Sequence, residues 1–176
     1  MLFPTLNTER LLLRQICQDD IQNIYSALSN PAVIKYYGVS FDSLKATEEQ
    51  MIWFKNLEET KTGIWWGICS KDNKIFYGAG GFNAINNEHK KAEIGFWLLP
   101  EFWGNGFMQE AFPLICYYGF HHLKLNRIEG FVDDQNQNCK KAIEKMNFKL
   151  EGTMRACEFK NGKFLNLDIY AKLKND

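Results

Sequence analysis

The sequence lacks most of the features that mark secreted, membrane or nucleic-acid-binding proteins. Its 176 residues hold 21 Lys and Arg against 21 Asp and Glu, so no net charge attracts nucleic acid or an anionic membrane. Uninterrupted apolar runs reach only a handful of residues, far below the roughly 20 that a membrane-spanning helix needs, and no signal peptide is recognisable. We therefore expect a cytoplasmic protein without nucleic-acid or membrane partners.

Cysteine is scarce and scattered. Cys17, Cys69, Cys116, Cys139 and Cys157 are odd in number, form no Cys-x-x-Cys pair and have no His at ligand spacing. The pattern favours neither a disulfide framework nor a zinc site, and no metal is expected. Buried thiols in a reducing compartment are the simpler interpretation.

Linkers and repeats are also lacking. No internal repeat, low-complexity tract or Pro/Gly/Ser-rich linker divides the chain. A chain of this length favours one domain, since domains usually run to about 100–200 residues, and it can bury roughly 70% of its unfolded surface. We predict a single domain over residues 1–176.

What the sequence does contain is a clear change of hydrophobic period along the chain. Apolar spacing and turn signals predict helices over 19–28, 43–60, 106–123 and 136–146, and strands over 8–14, 64–69, 75–82, 92–99, 127–132, 149–159 and 163–173. Hairpins come first and strand–helix–strand units later, an order typical of a mixed sheet. We therefore predict an α/β (α+β) fold with about seven strands and about four helices.

The segment 101–111 carries the most specific chemical signal. It follows a strand, contains Gly104 and Gly106, and opens a long helix. Glycines let the backbone turn its N–H groups inward, and the free N–H groups of a helix N-terminus add to them. The segment therefore predicts a site for phosphate oxygens, with an ordinary left-handed turn as the alternative interpretation.

Three kinds of phosphate loop compete for this segment. A Walker A loop would close with Gly-Lys-Ser/Thr, whereas this one closes with Gly106-Phe107-Met108. The dinucleotide fingerprint would need a third glycine where Gln109 stands, although the acidic Glu129 lies at a tolerable distance and keeps that alternative open. The remaining interpretation is a pyrophosphate loop of the coenzyme A type.

Six segments of the chain follow one another in the order of a known family: 8–14, 92–98, 103–106, 110–111, 136–139 and 144–148. They resemble the GNAT superfamily of N-acetyltransferases, and most closely the branch that acetylates the N-termini of ribosomal proteins (the Rim type). In that family a Gln/Arg-x-x-Gly-x-Gly/Ala loop joins the fourth strand to the third helix. Here the loop reads Glu101-Phe102-Trp103-Gly104-Asn105-Gly106, and the resemblance extends over nearly the whole chain.

The resemblance implies a sheet that splays open between its fourth and fifth strands, at 92–99 and 127–132. It implies that the pantetheine arm of acetyl-CoA lies in this gap, against the backbone near Trp97 and Leu98. The pyrophosphate would sit on backbone N–H groups of the loop and helix start, those of Gly104, Asn105, Gly106, Phe107 and Met108. Asn136 would bind the pantetheine arm or fix the loop, although Asn is also a favoured helix cap, and both roles can hold at once.

Acetyl transfer to an amine needs a base for the amine, an N–H donor for the oxyanion and a proton for the departing thiolate. Glu93 is the candidate base, directly or through water, with a solvated or ion-paired carboxylate as the alternative; Glu151 and Glu158 are fallback candidates. Cys139 stands where the Rim type usually has Ser and is the candidate proton donor, although a thiol is a weaker donor than a hydroxyl. Tyr170 is a second candidate donor, with core packing as the alternative.

Two residues depart from the family pattern or from helix rules. Glu101 replaces Gln or Arg and would bring a carboxylate near an anionic ligand, so we expect it to point away. Pro113 falls inside the helix that would present the phosphate site, where an interior proline typically costs about 3 kcal/mol.

We expect the helices at 19–28 and 43–60 and the loop at 34–39 to form the acceptor side of the site. Four aromatic residues would either add an apolar wall to this site or simply pack in the core: Trp65, Trp66, Phe82 and Trp97. The resemblance implies an acetyl-CoA-dependent enzyme that acetylates a primary amine, either a protein N-terminus or a small molecule, by direct attack in a ternary complex. The absence of net charge argues against docking on ribosomal RNA. The alternative is a catalytically weak acyl-CoA-binding sensor or partner module, and either is compatible with a homodimer.

Overall fold

A computed structural model describes residues 3–176 as one mixed sheet covered by helices. The elements in chain order are β1 (Leu6–Asn7), β2 (Leu11–Gln15), α1 (Ile21–Leu28), α2 (Pro31–Ile34), α3 (Leu44–Thr60), β3 (Ile64–Ser70), β4 (Phe76–Asn86), β5 (Lys91–Leu98), α4 (Phe107–His121), β6 (Arg127–Asp133), α5 (Gln137–Lys145), β7 (Lys149–Lys160) and β8 (Lys163–Leu173). The predicted α/β class is confirmed, with eight strands and five α-helices in the described residues. The two extra elements, β1 and α2, are too short to show a hydrophobic period.

The start of the chain differs most from the prediction. The first strand was expected over 8–14 but begins at Leu11, because Thr8 folds a turn that separates β1 from β2. In that turn the Thr8 N–H donates to the Leu11 carbonyl at 3.0 Å, and the Leu11 N–H donates to the Thr8 hydroxyl at 2.9 Å. The helix expected over 19–28 begins with a 3-10 turn at Gln18–Asp20 and becomes α-helical at Ile21.

The strand order across the sheet is β1-β2-β3-β4-β5-β6-β8-β7, and every neighbouring pair is antiparallel except β5 and β6. That parallel pair is joined over three residues only, from Lys91 opposite Arg127 to Glu93 opposite Glu129. Beyond this point β5 and β6 separate. The predicted splay is therefore confirmed, and it opens immediately after Glu93.

Helices cover both faces of the sheet. Helices α4 and α5 pack on one face over a core that includes Ile94 and Leu98 of β5. Helices α1 and α3 pack on the other face over a core that includes Trp65 and Trp97. Because side chains alternate along a strand, Glu93 shares the face of Trp97 and lies on the α1–α3 side of the splay.

Candidate active site

The loop after β5 adopts the backbone that its glycines permit. Gly104 has φ 78° and Gly106 has φ 77°, in the left-handed region that side chains with a Cβ avoid. The first hydrogen bond of α4 runs from the Glu110 N–H to the Gly106 carbonyl at 3.1 Å. The N–H groups of Phe107 and Met108 therefore have no acceptor among residues 3–176. Such a helix end suits an anion.

The splayed edge of β5 offers backbone contacts only. Trp97 and Leu98 are buried, with 4% and 8% of their surfaces exposed, so their side chains do not enter the gap. The Leu98 carbonyl already accepts the indole N–H of Trp103 at 2.9 Å. Any further partner of this carbonyl would have to use its second lone pair.

Arg10 contacts the loop and was not predicted from the sequence. Its Nη1–H donates to the Asn105 carbonyl at 3.2 Å and its Nε–H donates to Glu110 Oε2 at 2.6 Å. Thr8 also donates to Glu110. Partial burial alone would raise the pKa of Glu110, but the hydrogen bonds from Thr8 and Arg10 hold it below its usual value. Arg10 and Glu110 lie in two of the segments that carry the family resemblance, 8–14 and 110–111, but nothing in the sequence pairs them.

The start of α5 brings two predicted site residues into contact. Asn136 caps the helix, and its Oδ1 accepts the Cys139 N–H at 3.1 Å. The Cys139 side chain is half-buried, and burial raises the pKa of its thiol to about 11. Cys139 is therefore a thiol at neutral pH, able to donate a weak hydrogen bond but poorly suited to act as a nucleophile.

Glu93 lies between two polar cross-strand neighbours, Asn83 on β4 and Glu129 on β6. Burial raises the pKa of Glu93; a hydrogen bond from Asn83 opposes the rise, and the Glu129 charge adds to it. Burial alone would also raise the pKa of Glu129, but hydrogen bonds from Arg127 at 2.8 Å and Lys91 at 2.9 Å lower it. Two adjacent carboxyl groups thus have opposite pKa shifts, an arrangement typical of acid–base sites.

The loop after α2 is tied to the far end of β7. The Lys160 ammonium donates to the carbonyls of Ile34 at 2.6 Å, Lys35 at 3.3 Å and Tyr37 at 2.7 Å. Burial raises the pKa of the Tyr37 hydroxyl, and the nearby charge of Glu93 adds to the rise. Lys160 therefore holds a loop whose tyrosine lies near the candidate base. Nothing in the sequence pairs these two segments.

Several sequence-based candidates have other roles. Glu151 is exposed and bound by both Nη groups of Arg127, at 2.9 and 2.7 Å. The fully buried Tyr170 donates its hydroxyl to Glu144 at 2.9 Å. Glu158 is exposed on β7 but close enough to Glu93 to raise its pKa.

Of the two interpretations of the four aromatics, an apolar wall or core packing, core packing is confirmed, since all four are buried. Trp66 and Phe82 belong to the core under α4 and α5, whereas Trp65 and Trp97 lie on the α1–α3 side with Glu93. Successive side chains of a strand point to opposite faces of the sheet, so two of these residues face one side of the sheet and two face the other, and the four cannot line one surface. The indole N–H groups of Trp65 and Trp97 are buried and have no hydrogen-bond partner in the described chain.

Pro113 lies within α4, and the helix continues past it.

Two clefts lie away from the splay. One of about 640 Å³ runs between the end of β2 and α3, and one of about 570 Å³ lies beside Phe41.

Among residues 3–176, no group of three or more His, Cys, Asp or Glu side chains is placed to hold a metal ion. No helix in this range combines the length and apolar character needed to cross a bilayer.

Comparison with known proteins identifies the class. The family described as "Acetyltransferase (GNAT) domain" matches residues 10–149. The chain therefore belongs to the GNAT family of acetyltransferases and is an acyltransferase enzyme. Members of this family bind acetyl-CoA and acetylate amines.

The chain is also similar to several particular proteins. The chain is 37% identical over 174 residues to the uncharacterized N-acetyltransferase YoaA of Bacillus subtilis (strain 168), with 98% of each chain covered. Its fold is similar to that of RimL, a ribosomal α-N-protein acetyltransferase in complex with coenzyme A (TM-score 0.86, 22% identity, 97% and 98% covered). It is also similar to spermidine N-acetyltransferase from Vibrio cholerae in complex with CoA and spermine (TM-score 0.85, 21% identity, 96% and 98% covered).

Proposed function

We propose that this enzyme transfers an acetyl group from acetyl-CoA to a primary amine, by direct attack of the amine in a ternary complex. One observation carries the proposal: the sheet opens immediately after a half-buried carboxyl group, Glu93, and the same strand leads into a helix start with free N–H groups. A carboxyl group and a helix start with free N–H groups thus lie along one strand, which supports a base and an anion site for transfer from an anionic donor.

The donor site fits the diphosphate and pantetheine of acetyl-CoA in chemical type. The N–H groups from Gly104 to Met108 would hold the diphosphate, because they are backbone donors at the positive end of a helix. The backbone at Trp97 and Leu98 would pair with the pantetheine amides, and Asn136 would support the arm from α5. When bound, acetyl-CoA supplies a thioester as the acetyl source.

Glu93 would take the proton from the attacking amine, directly or through water. A carboxylate is a weak base at its usual pKa, so the raised pKa of Glu93 brings it closer to what proton transfer near neutral pH requires. Lys91 and Arg127 neutralise its neighbour Glu129. Glu93 itself has no ion-pair partner in the described part of the chain, which leaves its oxygens available.

Cys139 would donate a hydrogen bond or a proton to the leaving sulfur. Its thiol is protonated at neutral pH, which suits a donor. A pKa of about 11 makes it a weak acid, however, so we expect it to assist the reaction rather than determine its rate. Tyr170 is not available for this role because its hydroxyl donates to Glu144.

We further propose that the acceptor is a primary amine of one of two kinds, a peptide N-terminus as in the Rim type or a small-molecule amine. The two similar structures include one enzyme of each kind, so the fold favours neither. The balanced charge, 21 basic against 21 acidic residues, supports a peptide or small acceptor over docking on RNA. A single domain, a cytoplasmic location and assembly as a homodimer are part of the same proposal.

A thiol-release assay tests this function. Full-length protein with acetyl-CoA would be screened against N-terminal peptides, polyamines and simple primary amines, with matched N-acetylated peptides as blanks. We expect release of free CoA with at least one acceptor, and loss of that release in Glu93→Gln. Failure to bind acetyl-CoA would contradict the proposal. Binding without turnover on any amine would instead support the sensor-module alternative.

A further inference from the structure

Arg10 is held beside the phosphate loop at three points. Its Nε–H donates to Glu110 at 2.6 Å, its Nη1–H donates to the Asn105 carbonyl at 3.2 Å, and its guanidinium lies 5.0 Å from the centre of the Phe107 ring. The Thr8 hydroxyl and the Arg10 N–H also donate to Glu110, which fixes the carboxylate. A side chain that is 49% exposed is thus oriented by the first turn of α4.

The hydrogen bond from Arg10 to the Asn105 carbonyl sets the direction of the Gly106 N–H group. A trans peptide is planar, and its C=O and N–H point in opposite directions. Because Arg10 binds the Asn105 carbonyl on one side, the Gly106 N–H points to the other. There it has no acceptor within residues 3–176, and it joins the free N–H groups at the start of α4 as a donor for an anion.

This part of the loop needs such an anchor because Asn105 stands between two glycines. Gly104 and Gly106 have φ of 78° and 77°, and glycine adopts either sign of φ at little cost. The loop backbone alone therefore does not fix the intervening peptide planes. Residues 100–111 include no Lys or Arg, so Arg10 brings a cationic donor to the loop from a segment 95 residues away.

We infer that Arg10 is a positioning residue for the diphosphate of the donor: it pins the peptide between Asn105 and Gly106 with the N–H turned toward the ligand. The inference rests on the proposed use of acetyl-CoA. Losing one hydrogen bond to a charged group should weaken binding about 10-fold. The loss should affect only ligands that carry the diphosphate, since the pantetheine arm would lie along β5.

The test compares acetyl-CoA with acetyl-pantetheine, which has no phosphate, in NMR titrations of the full-length protein. Arg10→Gln should weaken acetyl-CoA about 10-fold and leave acetyl-pantetheine unchanged. Arg10→Lys should behave like Arg10→Gln, because one ammonium cannot reproduce the guanidinium's fixed, two-sided grip on Glu110 and Asn105. In the wild type, the Gly106 amide proton should shift downfield when CoA binds, and this shift should shrink in both variants.

Arg14→Gln is the matched control. Arg14 lies four residues further on, in β2, and pairs with Asp20 at 2.7 and 2.8 Å, so this variant loses an ion pair without touching the loop. It should leave the ratio of the two affinities unchanged. Wild-type affinity for acetyl-CoA in Arg10→Lys, or equal weakening of both ligands in Arg10→Gln, would overturn the inference. A wild-type protein that binds neither ligand would mean that the proposed function has failed instead.

Discussion

The donor side and the acceptor side of the site are built in different ways. On the donor side, most of the proposed contacts lie within residues 97–108, a strand end and a helix start joined by a short loop, and only Asn136 and the anchor Arg10 come from elsewhere. On the acceptor side, the side chains come from distant segments: Tyr37 after α2, Glu93 on β5, Glu129 on β6 and Lys160 at the end of β7. One side is largely local in sequence, and the other exists only in the folded sheet.

This difference shows which features of the sequence would determine donor binding and which would determine catalysis. The proposed donor side would bind through backbone N–H groups, so its chemistry depends on backbone conformation, and that conformation depends on glycines that a sequence motif includes. The acceptor side depends on which charges the strands bring together, as in the opposite pKa shifts of Glu93 and Glu129. Changes at the donor side should therefore affect binding of acetyl-CoA, and changes at the acceptor side should affect turnover.

The largest effect is expected from Gly106→Glu. The substitution places a Cβ at φ 77°, which costs roughly 1–2 kcal/mol, and a carboxylate beside the proposed diphosphate site. We expect acetyl-CoA affinity to fall more than about 100-fold by calorimetry, the sum of lost loop geometry and charge repulsion.

Gly162→Glu is the control for this variant. Gly162 has φ 78° and open space around an added Cβ, but it lies in the turn between β7 and β8. It introduces the same side chain at the same backbone conformation, away from the loop. Unchanged acetyl-CoA binding in Gly162→Glu, with loss in Gly106→Glu, would assign the effect to the loop; equal losses would contradict the donor site.

The same contrast explains how much of the fold could be predicted. The long elements were found because a hydrophobic period needs several turns or strand residues to show, as in α3 and the β3–β4 hairpin. The short β1 and α2 were missed for the same reason. The side on which Trp66 and Phe82 pack also could not be read, because it depends on strand parity across the assembled sheet.

The residues of the candidate site also fall into two groups, those with a local sequence signal and those without one. Gly104, Gly106 and Asn136 were proposed as site residues because positive φ and helix capping follow from local sequence, and the structure shows both conformations. Arg10 and Lys160 were not proposed, because their bonds join segments about 95 to 126 residues apart. A long flexible side chain leaves no periodic signal, and its partners here include backbone carbonyls, which any residue type provides.

The next largest effect is expected from Glu93→Gln, which removes the proposed base and keeps its shape. Turnover should fall about 100-fold or more, the usual contribution of a positioned base, while acetyl-CoA affinity stays the same. In the wild type, activity should rise with pH as Glu93 loses its proton. Because its pKa is raised, this rise should lie at higher pH than for an ordinary glutamate.

Glu129→Gln tests the charge pairing behind that pH profile. The Glu129 charge raises the pKa of Glu93, and its loss leaves Lys91 without its partner and Arg127 with Glu151 alone. Both changes favour the charged form of Glu93, so the acidic limb of the rate profile should move to lower pH. A limb that stays in place would mean that another group titrates.

A smaller effect is expected from Lys160→Met, which removes three hydrogen bonds to the loop after α2. The KM for the acceptor should rise about 10-fold, since the loop would be free to move, while acetyl-CoA affinity should not change. The exposed Lys163, opposite Lys160 in the same hairpin, provides the control Lys163→Met. A parallel loss of acetyl-CoA affinity would show that the two sides are not separable.

The smallest effect is expected at Cys139, the proposed donor to the leaving sulfur. With a pKa of about 11 the residue is protonated at neutral pH, so a covalent acetyl-cysteine route is disfavoured and a hydrogen-bonding role remains. Cys139→Ser should retain or raise turnover, and Cys139→Ala should lower it by roughly 3- to 10-fold, the value of one modest hydrogen bond. Iodoacetamide should label the exposed Cys17 and Cys157 before Cys139. Abolished turnover in both variants would instead require the thiol itself as a nucleophile.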